Sequence, residues 1–168
     1  MNGEKRMRNV ILDCDPGHDD AVSIIIAASK KSDLNILGIT TVAGNVSVDK
    51  NTINALKVAE LLKLEVPVVE GSSRPLVKQS EIAPEIHGDT GMDGPELPEP
   101  TKVVEEGHAV DFIIEQVKTS KEKVTLVPTG PLTNIALALI KAPEIKENID
   151  EIVLMGGGTF GNWTPAAE

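Results

Sequence analysis

Short β-rich apolar runs alternate with helix-like stretches along the chain, and this rhythm constrains the fold more than any other feature. Residues 9–14 (NVILDC) form a strand candidate that ends in acidic residues. Residues 18–31 follow with Ala21, Ile24, Ile25 and Ala28 at helical spacing. Residues 34–42 read as a second buried strand and residues 48–64 as a helix through Ile53, Leu56, Ala59, Glu60 and Leu62. A short strand at 66–69, an amphipathic helix at 108–117 and a strand at 124–127 come next. A helix at 132–141, with Pro131 at its first turn, and a last strand at 152–155 complete the series. The alternation predicts an α/β domain, an open and mostly parallel sheet with helices on both faces. Two segments break the rhythm. Residues 72–100 are rich in Pro, Gly and acids, and loops of that length in compact domains are commonly functional or disordered. Residues 156–168 open with Gly156-Gly157-Gly158 and lead into no further element. Residues 1–168 therefore read as one domain whose architecture is incomplete at its end.

Composition narrows the function. With 16 Lys and Arg against 26 Asp and Glu, the formal net charge is −10, and the basic residues are scattered without forming a stripe. Trp163, Phe112 and Phe160 are the only side chains of the large aromatic type, so base stacking has little to work with. A nucleic-acid partner is excluded on these grounds. A small neutral substrate, or one held through a cation, suits the charge. The same scarcity means that Val, Ile, Leu and Ala must build the core. Cys14 is the only cysteine, which excludes an intramolecular disulfide and a thiolate metal site. Residues 1–8 are polar with no signal-like apolar segment behind them, and apolar runs such as 21–29 are too short to span a bilayer. The expectation is a cytoplasmic protein.

The most informative residues are Asp13, Asp15, Asp19 and Asp20, in the string D-C-D-P-G-H-D-D-A. They fall at the C-terminal end of the first strand and the start of the next helix, the edge at which open α/β sheets bind ligands. Pro16-Gly17 makes the turn, and Asp19 and Asp20 sit in the first helical turn, where the helix dipole favours anions. That dipole cannot offset the crowding, because like charges at about 4 Å repel by roughly 4 kcal/mol at an effective dielectric of about 20. Either carboxylates take up protons or a cation neutralises them. Oxygen ligands without a Cys/His pair indicate a hard ion, Ca²⁺ or Mg²⁺. An Asp pair at a helix start is commonly just a cap with a solvated neighbour. Four acids flanking a Pro-Gly turn at a parallel-strand end form a much rarer pattern, and that pattern favours a site. Asp13 is set apart, read as pointing away from Asp15 and as structural.

At this string the sequence resembles the inosine–uridine-preferring nucleoside hydrolase family, whose opening signature is D-x-D-P-G-x-D-D-A. Further motifs match in order: V-A-G-N at 42–45, H-G-D-T-G-M-D-G at 87–94, V-P-T-G-P-L-T-N at 127–134, I-V-L-M-G-G-G at 152–158 and G-N-W-T-P-A-A-E at 161–168. Together they cover nearly the whole chain. The resemblance implies a Rossmann-like sheet and a Ca²⁺-dependent ribonucleoside hydrolase, which cleaves the N-glycosidic bond with water to give ribose and free base. It implies Asp15 as general base and calcium ligand, with Asp20 and the Thr129 carbonyl as further ligands. Asp19 and Asn45 are implied as binders of ribose hydroxyls, Asn162 and Glu168 as binders of the outer hydroxyls, and Met155 as lining the sugar pocket. His87, which opens the irregular loop, is placed near the nucleobase. His18 falls where the family varies and reads as a helix-start residue.

The chemistry suits these residue types. Glycosidic cleavage passes through an oxocarbenium-like state, which carboxylates stabilise, while a metal-activated water needs an adjacent base. Family members run to about twice this length. Their last calcium ligand, an Asp, and the adjacent His linked to leaving-group activation lie in the portion not matched, as does an Asn just past Glu168. A homo-oligomer, dimer or tetramer, is implied for the full-length enzyme. His108 precedes a helix and reads as a surface residue, Cys14 as a buried inert thiol. Gly156-Gly157-Gly158 lacks phosphate-loop spacing, and close approach to a sugar fits it better.

Two other classes compete. A Mg²⁺-dependent phosphohydrolase also uses D-x-D on a first strand, but it wants Thr or Val after the second acid and a downstream Lys, whereas Pro16-Gly17 and two more acids follow here. A half-domain keeping part of a sugar and metal site without turnover is the non-enzyme reading. Purine or pyrimidine preference stays open at this point.

Overall fold

A computed structural model describes residues 7–82, 84–94 and 96–156. Its strands are β1 (Arg8–Cys14), β2 (Leu34–Thr41), β3 (Val68–Val69), β4 (Val124–Pro128) and β5 (Ile149–Ile152). Its helices are α1 (His18–Ser29), α2 (Val48–Leu61), α3 (Pro84–His87), α4 (Ala109–Thr119) and α5 (Thr133–Lys141), with a 3-10 segment at Pro143–Asn148. The strands form one parallel sheet in the order β3-β2-β1-β4-β5.

Alternation along β1 sorts the core into two layers. Val10 and Leu12 face α1 and α2, packing with Ile24, Ala27, Ala55, Leu56 and Ala59. Ile11 faces the other way, with Val124 and Leu126, onto Val110, Ile113 and Val117 of α4 and Ile135 of α5. The α4 residues recur at three and four positions, which gives that helix its buried stripe. His108 is exposed, as the sequence suggests, and also caps α4, its Nδ1 accepting the Val110 N–H at 3.2 Å. Gly38 is required where α4 comes closest to the sheet, since a Cβ there would lie 2.5 Å from the Phe112 ring. Among the described residues no helix is long and apolar enough to cross a membrane.

Three expectations need correction. The last strand is Ile149–Ile152, not 152–155. Residues 149 and 152 pair with Val124 and Leu126, while the acidic Asp150 and Glu151 between them hide a strand whose side chains are mostly exposed. Pairing bonds nevertheless continue past it, from Val153 N to Leu126 O at 2.9 Å and from Met155 N to Pro128 O at 3.0 Å. The second correction is α3, a single turn inside the long acidic loop. The third is the 3-10 segment leading into β5, started by Pro143.

The β1–β4 boundary is where the connections reverse direction, since β2 and β3 lie on one side of β1 and β4 and β5 on the other. In register, Asp13 stands beside Thr40 and Pro128, so the C-terminal ends of the three central strands are level. A ligand crevice is expected outside such a switch point.

Candidate active site at the strand ends

β1 stops at Cys14, the chain turns through Asp15, Pro16 and Gly17, and α1 begins at His18. Asp15 is only 5% exposed. Its Oδ2 accepts the Asn45 N–H at 2.7 Å, and its carbonyl accepts Asn45 Nδ2 at 2.8 Å. Gly44 and Gly130 stand on either side of the carboxylate. A Cβ on Gly44 would overlap Oδ2, and one on Gly130 would lie 2.7 Å from Oδ1. Only glycine lets two loops close on the acid this tightly.

Asp20, 2% exposed, turns back from the first turn of α1. Its Oδ1 accepts the Thr129 hydroxyl at 2.5 Å and its Oδ2 the Gly17 N–H at 3.2 Å. Burial first, and then the charge of Asp20, push the Asp15 pKa up to about 8 from an ordinary 3.8. Burial also raises Asp20, against the pull of Thr129 and Gly17 and with a further push from Asp19. No Lys or Arg pairs with either acid among the described residues.

Asp13 does not join this pair. Its Oδ1 accepts the Thr40 hydroxyl at 2.6 Å and Asn134 Nδ2 at 2.8 Å. Burial lifts it to about 6, and those two bonds pull against the shift. The separation from Asp15 does not come from strand alternation, which puts residues two apart on one face. It arises because the strand ends at Cys14 and the chain leaves the sheet. Cys14 is buried, and its thiol is pushed well up by burial and by the three acids around it.

The structure therefore brings together Asp15, Asp20, Asn45 and Thr129, with His87 beside them. His87 Nδ1 is buried without a hydrogen-bond partner among the described residues, and it lies 2.7 Å from where a Gly17 Cβ would be. Asp19 is on the exposed side of the first α1 turn. Met155 is 56% exposed, with its backbone on Pro128 next to Thr129. Asn162 and Glu168 lie outside the described residues.

Sequence reasoning missed several supports. His18 does more than start a helix: its Nε2 lies 2.8 Å from the Asp93 carbonyl, and its ring stacks on His87 with centroids 5.9 Å apart. Asn54 Nδ2 donates to Pro16 O at 3.0 Å and to Thr90 O at 2.9 Å, bolting the 87–94 loop to the turn before α1. The Thr129 hydroxyl, and not only the carbonyl that the resemblance implies, has a place here through its bond to Asp20. The glycines in V-A-G-N and P-T-G-P, each directly after a strand, were the available signal for the cradle.

The donor set suits a hard cation. Two buried carboxylates without a Lys or Arg partner among the described residues offer oxygen ligands, and the Thr129 hydroxyl stands beside Asp20. No group of three or more His, Cys, Asp and Glu with metal-site geometry occurs among the described residues. Two acids and a threonine fall short of the 6–8 oxygens typical of Ca²⁺, so water, substrate or other residues must supply the rest.

The chain is similar to known ribonucleoside hydrolases over nearly its whole length. The chain is 51% identical over 163 residues to the pyrimidine-specific ribonucleoside hydrolase RihA of Shewanella woodyi, a match covering 96% of this chain and 52% of the relative. RihB of Escherichia coli K12, also pyrimidine-specific, is 51% identical over 163 residues, covering 96% and 51%. A purine-preferring ribonucleoside hydrolase from Gardnerella vaginalis superposes with a TM-score of 0.84 at 43% identity, over 90% of this chain and 49% of that one. The chain thus spans about half the length of the relatives it matches. The pattern of the inosine-uridine preferring nucleoside hydrolases matches residues 10–168, all but the first few positions, and the chain belongs to that family.

Proposed function

We propose that this chain supplies the water-activating and ribose-binding part of a calcium-dependent ribonucleoside hydrolase, which splits the N-glycosidic bond to ribose and free base. The observation that carries the reading is Asp15: a buried carboxylate with no Lys or Arg partner among the described residues, held by Asn45 on one oxygen and faced by Asp20.

In this reading Asp15, Asp20 and Thr129 would hold Ca²⁺, which when bound would lower the pKa of a nearby water. Asp15 takes the proton of the water that attacks the anomeric carbon. Burial and the charge of Asp20 raise the Asp15 pKa to about 8, and a nearby cation would favour the carboxylate that a base must be. Asn45 and Asp19 orient the ribose hydroxyls, and the family resemblance implies Asn162 and Glu168 as binders of the outer hydroxyls and Met155 as lining the sugar pocket. The Asp15–Asp20 pair stabilises positive charge developing on the ribose. His87, with its buried free Nδ1, faces the nucleobase side. The bond from C1′ to the base nitrogen breaks, the base leaves with that electron pair and takes a proton from solvent, and water oxygen bonds to C1′ as its proton passes to Asp15.

The names of the relatives at 51% identity make a pyrimidine ribonucleoside the first substrate to try, with inosine as the purine comparison. The test is a reducing-sugar assay with uridine and inosine at millimolar Ca²⁺. The 168-residue polypeptide by itself is expected to release little ribose, because the described residues supply only part of a metal shell. A relative-length protein carrying these residues is expected to turn over, and an inactive one with bound calcium would defeat the reading. Robust release by the 168-residue polypeptide would make His87 the first residue to mutate.

A further inference from the structure

Asn134 sits in the first turn of α5, is fully buried, and binds three separate parts of the chain. Its Nδ2 donates to Asp13 Oδ1 at 2.8 Å and to the Thr41 carbonyl at 2.9 Å, and its Oδ1 accepts the Ser72 N–H at 2.9 Å. Both amide hydrogens and the oxygen are engaged. The backbone closes on this side chain so tightly that a Cβ on Gly71 would lie 2.5 Å from the amide.

The contacts run outward to the pocket on two sides. The Ser72 carbonyl accepts the Ala43 N–H at 2.9 Å, two residues before Asn45, whose own N–H binds Asp15. On the other side, the Asp13 carbonyl accepts the N–H groups of Thr129 at 2.8 Å and Gly130 at 3.3 Å. Those two residues stand against Asp20 and Asp15. One amide thus ties β1, β2, the segment after β3 and α5 together directly beneath the loops that shape the site.

We propose that Asn134 is a positioning residue: by fixing Asp13 and Ser72 it sets the 43–45 and 129–130 loops that orient Asp15, Asn45 and Thr129. It touches none of the reacting groups. An apolar residue of similar size would fill the space but leave the Ser72 N–H and Thr41 carbonyl without their present partner, at a substantial cost for buried polar groups. A buried amide with every donor and acceptor engaged, by contrast, rigidifies what it joins. The proposal rests on reading Asp15 and Asn45 as site residues.

The test is native-state hydrogen exchange on the 168-residue chain, measured by NMR without cation or substrate. It compares wild type with Asn134→Ala and with Val117→Ala, a change at a fully buried α4 position in the apolar core. In Asn134→Ala the Ala43 and Asn45 amides should exchange about tenfold faster relative to the Leu12 and Leu126 amides, the size expected for loss of a local clamp. Val117→Ala should accelerate all four by a common factor. Asn134→Ser, which keeps a small polar group, gives the same ratio if the alanine variant does not fold. A common factor in the Asn134 variants would overturn the proposal and reduce Asn134 to a general stabiliser. Because no turnover is read, a failed hydrolysis assay would leave this result untouched.

Discussion

Asp13 and Asp15 stand two residues apart, both buried, both with raised pKa values, yet their surroundings differ in kind. Asp13 lies within the sheet and receives neutral donors from β2 and α5, which use one oxygen fully and bind the strand ends together. Asp15 lies past the strand, receives a backbone N–H, and faces a second acid that no Lys or Arg pairs with among the described residues. Burial alone therefore does not mark a functional carboxylate. A supply of neutral donors makes one acid a structural node, and an unneutralised acidic neighbour makes the other a candidate ligand and base.

The contrast can be broken most sharply by kinetics. In a relative-length protein carrying these residues, Asp15→Asn should lower kcat about 10²–10⁴-fold, the usual cost of a lost general base, with the fold intact. Asp13→Asn should leave kcat within a few-fold, because its amide oxygen can still accept from Thr40 and Asn134. Equal losses from both would erase the distinction between node and site.

Stability should show the reverse order. Asp13→Ala leaves one Asn134 hydrogen buried without an acceptor and the Thr40 hydroxyl with only the longer bond to the Leu12 carbonyl, and should cost about 1–3 kcal/mol in urea unfolding. Asp15→Ala in the cation-free chain should cost less or even stabilise, since it removes a buried, repelled carboxyl. A larger loss at Asp15 would mean that its role is structural.

The pH dependence separates the two acids within one experiment. Both folded pKa values lie above the ordinary 3.8, so the folded state holds the proton more tightly. The stability this contributes is fully present below pH 3.8 and is lost as pH rises through about 6 for Asp13 and about 8 for Asp15. In the cation-free chain stability should therefore fall by about 1.4 kcal/mol per pH unit for each such group in its window. Asp15→Asn should flatten the stretch between about 6 and 8, and Asp13→Asn should flatten only part of the stretch below it. A cation-free chain whose stability is level from pH 4 to 8 would contradict both shifts.

The smallest expected effect is the most direct for the site. Calcium at about ten times its Kd should stabilise the chain by about 1.4 kcal/mol through mass action, read as a rise in Tm. Asp20→Asn should remove that rise, whereas Asp13→Asn should keep it. No rise at millimolar calcium in the wild type would show that two carboxylates and Thr129 do not hold the ion.

The alternation of strand-like and helix-like segments was legible because each element buries a face with its own period. The parallel sheet and both helical layers followed from it. The two buried runs at β1 and β2 were clear, whereas β5 was misplaced because an edge strand with Asp150 and Glu151 in it carries little apolar signal. The acidic string was equally legible: four carboxylates at a strand end are electrostatically costly unless something uses them, and two of them, Asp15 and Asp20, do converge in the structure. Asp13 and Asp15 could not be told apart with the right reason, because the point where β1 leaves the sheet depends on pairing with β2 and β4.

By itself, then, the sequence determined the fold class and placed the acidic string at the C-terminal edge of the sheet, since these depend on local periodicity and local charge. Only the tertiary structure decided which acids stay open and which are bound. Asn134 meets Asp13 across 121 positions of chain, and Thr129 meets Asp20 across 109. The glycines that admit Asp15 do so from the ends of two other strands. Hydrogen bonds and close approaches of that span leave no period in the sequence. They exist only once the strands are level and their connecting loops are brought over one point.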